Sequence, residues 1–89
     1  MYLLSRIGYG DYEPIACSEN FDTLVERGTL EVKGEVKGQL KIEEDSYGDF
    51  CFYDITENEN YYSFEGERRC CRFTSKDYLD LAIQKVEVI

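Results

Sequence analysis

The fold class turns on Leu30-Glu31-Val32-Lys33-Gly34-Glu35-Val36-Lys37-Gly38-Gln39-Leu40-Lys41-Ile42-Glu43. Leu30, Val32, Val36, Leu40 and Ile42 share one parity, and Glu31, Lys33, Glu35, Lys37, Lys41 and Glu43 take the other. Successive side chains of a strand point to opposite faces, so this alternation predicts β-structure with one buried and one wet face. Gly34 and Gly38 interrupt the apolar parity, which places a hairpin turn or a bulge between them.

Working towards the N-terminus, Ser18 stands where an N-cap belongs, Phe21, Leu24 and Val25 recur at helical spacing, and Gly28 occupies a C′ position. That predicts a short helix at about residues 19–27. Tyr2 to Ile7 favours a strand, Gly8-Tyr9-Gly10-Asp11 a turn, and Glu13 to Cys17 an extended return. Towards the C-terminus, Ser46-Tyr47-Gly48-Asp49 is a turn, Phe50 to Ile55 an aromatic strand and Thr56 to Asn60 a polar loop. Tyr61 to Phe64 and Arg69 to Phe73 form strands joined through Gly66. Thr74 with Asp77 fits a capping box, and Tyr78, Leu79, Ala82, Ile83 and Val86 predict a second helix at about 75–84. Residues 85–89 suit a short final strand. The expected architecture is α+β in a single domain, 1–89: a mostly antiparallel sheet of about five to six strands with two short helices packed on one face.

The 89-residue length bounds the core. Area scaling for a compact chain of this mass gives a folded surface of roughly 5,400 Å² against roughly 15,000 Å² unfolded. Hydrophobic residues at 43% and aromatics at 15% supply enough apolar area to order the chain. The longest apolar runs fall far short of the ~20 residues of a membrane span, and the N-terminus lacks the basic and hydrophobic regions of a signal peptide. The expectation is a cytoplasmic protein.

Several chemistries are excluded or weakly supported. The chain has no histidine, which removes Ser–His and Cys–His catalysis. Cysteines 17, 51, 70 and 71 contain no C-x-x-C pair, so structural zinc is not expected. Adjacent Cys70 and Cys71 would point to opposite faces of a strand, and all four are read as reduced thiols with at least one in the core. Cys17, just ahead of the first helix, is read as a small space-filling residue. The segment 43–49 lacks the spacing of a calcium loop, and no phosphate-cradling glycine loop exists. Catalytic residues, metal and cofactor are all expected to be absent.

Charge carries the functional expectation. Nineteen acids against ten bases leave the chain at −9. From Glu43 to Glu67 there are nine acids and no Lys or Arg, while the other 64 residues hold ten of each sign. The same stretch carries seven of the thirteen aromatics. Such a chain does not bind nucleic acid or anionic membrane through general electrostatics; it is drawn to basic surfaces. Carboxylates two residues apart on a strand lie ~6.7 Å apart on one face, close to the ~6.8 Å axial separation of phosphates two steps apart on DNA. Glu43 with Asp45, Glu57 with Glu59, and Glu65 with Glu67 are the candidate pairs. Arg68, Arg69 and Arg72 are expected to pair with neighbouring acids on the sheet.

The expected function is a non-enzymatic inhibitor that blocks the nucleic-acid site of a basic protein, a nuclease or a nucleic-acid-guided effector. Glu43, Glu44, Asp45, Asp49, Asp54, Glu57 and Glu59 would stand in for phosphates, and Tyr47, Tyr53, Tyr61 and Tyr62 would anchor the interface. In size and charge the chain resembles small acidic anti-CRISPR and anti-restriction proteins of phages and mobile elements, and the immunity proteins that neutralise nuclease toxins. The alternatives are an immunity protein or antitoxin of that kind, or an adaptor or homodimer pairing through a sheet edge.

Overall fold

The computed structural model describes residues 1–87. Five strands and one helix follow in the order β1 (Tyr2–Ile7), β2 (Tyr12–Ser18), α1 (Phe21–Glu31), β3 (Gln39–Glu44), β4 (Phe50–Phe64) and β5 (Glu67–Lys85). They form one sheet in the spatial order β2-β1-β5-β4-β3, with every neighbouring pair antiparallel.

Helix α1 begins at Asn20, whose side chain accepts the Asp22 N–H, and not at Ser18. Ser18 instead accepts the Asn20 N–H through its hydroxyl. The helix runs past Gly28 to Glu31 and lays Leu24 and Gly28 on the sheet. Gly28 is therefore an interior residue. The Phe52 ring fills the place of its missing side chain, and a Cβ there would stand 2.5 Å from the ring edge. Leu4, Leu24, Val32, Phe52, Leu81 and Ile83 form the core between helix and sheet. Phe21 joins it through edge-on contacts with Tyr2 and Phe50.

Three sequence expectations give way. The alternating stretch 30–43 is not one strand or hairpin: its first part completes α1, Val32 caps the helix and is buried, and Leu30 is exposed. Only Gln39–Glu44 pairs, with β4. Asp54 organises the connection from α1 into β3, its two carboxylate oxygens accepting the Lys37 and Gly38 N–H groups at 3.0 and 2.9 Å.

The expected helix at 75–84, with its capping box at Thr74 and Asp77, is a continuation of β5. This segment lies between β1 and β4, and a helix there would leave the inner edge of each of those strands without a backbone partner. Leu79, Leu81 and Ile83 carry a second, period-2 pattern, and these three pack towards the core. Asp80, at φ 55°, absorbs the resulting bulge opposite Phe52. The sheet thus has one helix on one face, where two were expected. The suggested final strand is represented by Lys85 alone in β5; residues 88–89 lie outside the described residues.

The expected polar loop at Thr56–Asn60 is also strand. β4 and β5 stay paired from Asp54–Asp77 to Phe64–Glu67. They close at Glu65 and Gly66, both at positive φ (52° and 79°), the backbone of a type I′ hairpin turn. β3 accompanies β4 only to Ile55, and β1 accompanies β5 only from Leu81. The outer part of the hairpin therefore projects as a free two-stranded arm.

The arm sets the shape. The molecule measures 66 × 24 × 22 Å, and its radius of gyration of 17.4 Å exceeds the ~12 Å of a compact chain this long. Its surface of 6825 Å² likewise exceeds the roughly 5,400 Å² expected from mass.

Candidate functional site

The arm has two distinct faces, fixed by the register. Residues directly opposite share a face and the face alternates along each strand. On the face away from α1 lie Glu57 opposite Thr74, Glu59 opposite Arg72, Tyr61 opposite Cys70, and Ser63 opposite Arg68. This open face continues inward through Ile55 with Lys76 and Tyr53 with Tyr78. Asn58 opposite Phe73, Asn60 opposite Cys71, Tyr62 opposite Arg69, and Phe64 opposite Glu67 occupy the helix-side face.

Acid and base are interleaved on the open face. Arg72 pairs with Glu59 at 3.1 Å, and the Tyr61 hydroxyl donates to Glu59 at 2.8 Å. That bond to a carboxylate keeps the Tyr61 phenol protonated and raises its pKa. The Arg68 guanidinium lies 4.9 Å from the Tyr61 ring centre. Glu43 bonds both Lys76 and Lys41, which hold its carboxyl below the ordinary value of 4.5. Lys76 lies over the Tyr53 ring at 4.3 Å. Cys51 is buried where this face meets the rest of the sheet, its thiol pushed above 9.0 by burial and then by the nearby Asp45 charge. Partial loss of solvent around the phenol likewise raises Tyr53 and, much more strongly, Tyr78, whose side chain is still in part exposed.

The eleven expected partner-binding residues do not form one surface. Glu43, Tyr53, Glu57, Glu59 and Tyr61 share the open face. Asp45 approaches that face through Cys51, but it is engaged in its own turn, accepting the Tyr47 and Asp49 N–H groups. Asp54 is 4% exposed and holds the turn after α1. Tyr62 faces the opposite way on the arm. Glu44 ends β3, Tyr47 and Asp49 lie in the turn before β4, and ten residues of chain separate Asp49 from Glu59, about 33 Å.

Of the three expected carboxylate pairs, Glu57 with Glu59 keeps its strand geometry, Glu65 is taken into the turn, and Asp45 lies beyond the end of β3. The run of acids is uniform in sequence and mixed in space because β5 lays Arg68, Arg69, Arg72 and Lys76 beside it. The expected pairing of the arginine cluster with neighbouring acids is present in Arg72–Glu59 and Arg69–Glu67.

Phe64, Phe73, Cys71 and Tyr78 belong to the exposed surface, and sequence reasoning did not single them out. Reflecting the chain about Glu65-Gly66 would have found them, since a two-residue turn fixes which residues face each other. Cys17 is exposed, contrary to its reading as a space-filling residue. A shallow hollow of about 370 Å³ lies on the arm between Glu57, Asn58, Glu59, Arg72, Phe73 and Thr74. Among the described residues no cluster of Cys, Asp and Glu could hold a metal ion, and no helix is long and apolar enough to cross a membrane. No protein-family model, no curated protein and no solved structure matches this chain.

Proposed function

We propose that this protein is a non-enzymatic binding protein that docks its hairpin arm at the nucleic-acid site of a basic protein through Glu57, the carboxylate of the open face left without an ion pair among the described residues, and so obstructs that site. The projection of the arm carries this reading: Glu57, Glu59 and Tyr61 stand together on a strand that has no third strand beside it. A slender ribbon can enter a groove that a rounded surface cannot. Tyrosine supplies rigid contact area, and the net charge of −9 speeds encounter with a cationic target. Glu57 makes no ion pair among the described residues and offers its charge outright.

The test is affinity capture followed by charge reversal. A nucleic-acid-binding protein should be retained at low salt, released at high salt and displaced by added DNA or RNA. Glu57→Lys combined with Glu59→Lys should weaken that complex at least ~10-fold, about 1.4 kcal/mol, while leaving Asp54, Asp45 and Glu43 to their structural roles. Unchanged affinity would sink the reading. An adaptor role through edge pairing is favoured by the unpaired outer edges of the arm, and it predicts a complex insensitive to salt.

A further inference from the structure

We draw no further inference here: the strongest candidate, the apolar face of the sheet on the side away from α1, where Leu3, Ile7, Tyr12 and Tyr78 surround the buried row Ser5, Ala82 and Cys51, carries nothing because nothing in the structure shows what covers it.

Discussion

β4 crosses from one environment to another without a break, and its two parts obey different rules. From Phe50 to Ile55 it lies between β3 and β5 beneath a helix, with Phe52 wholly buried and Asp54 4% exposed. From Glu57 to Phe64 its single neighbour is β5, and Tyr61, Tyr62 and Phe64 are about half exposed. In the first part a residue is held by what it packs against. In the second it is held by cross-strand neighbours, which contribute tenths of a kcal/mol each. Stability and recognition are thereby separated along one strand: the base can fold with an altered arm, and the arm can vary without emptying the core.

The separation breaks most visibly at Phe52. Phe52→Ala empties the space over Gly28 and should destabilise the fold by ~3–5 kcal/mol, a large part of the stability of a domain this size, as read by urea unfolding. Asp54→Ala should follow at ~2–3 kcal/mol in the same assay, because it strands the Lys37 and Gly38 N–H groups. Asp54→Asn, which keeps one acceptor oxygen, should lose less. Either variant behaving like wild type would mean that the base does not carry the stability.

Alkaline pH acts on the junction of the two regions. Cys51, Tyr53 and Tyr78 have raised folded pKa values, each chiefly through burial of the neutral group. Protonated, they favour the folded chain. That contribution is complete below the ordinary thiol value of 9.0 and is lost as pH rises through the folded values. Thermal unfolding followed across this range should therefore show falling stability above about pH 9. Cys51→Ala should shift the onset towards the ordinary tyrosine value of 10.0. Glu43 works in the opposite direction: its lowered pKa supplies stability that is present above 4.5 and lost in acid.

The smallest effect belongs to the arm. Phe64→Ala removes an exposed ring stacked on Arg69 and should change the unfolding free energy of the isolated chain by no more than ~0.5 kcal/mol. Amide exchange sharpens the contrast: residues 57–64 and 67–74 should exchange faster than β1 and the inner half of β5.

How much of this was legible beforehand varied with the number of layers involved. The Gly66 turn, the turn at 46–49 and the first two strands were readable because turn chemistry and short strands are local. The helix start slipped by two residues because Ser18 and Asn20 both offer capping oxygens and only one meets the Asp22 N–H. Residues 75–84 carry two apolar periods at once, one helical through Tyr78, Ala82 and Ile83, and one of two through Leu79, Leu81 and Ile83. Local pattern cannot choose between them. For the site, the pair Glu57 and Glu59 keeps the same-face spacing expected of it, whereas Asp54 and Asp45 spend their oxygens on backbone N–H groups, because a carboxylate that caps a turn looks in sequence like a free one.

By itself the amino-acid sequence determined the net charge, the absence of histidine chemistry, the single long hairpin turn and the sheet-dominated class. These follow from composition and from backbone preferences spanning a few residues. Only the tertiary structure decided that β5 is the central strand, that the acidic run is drawn out along a ribbon and partly matched by arginines, and that the arm has one charged and one apolar face. Each of these depends on which strand lies beside which, and that is settled by long-range burial and by the requirement that every interior backbone group find a partner.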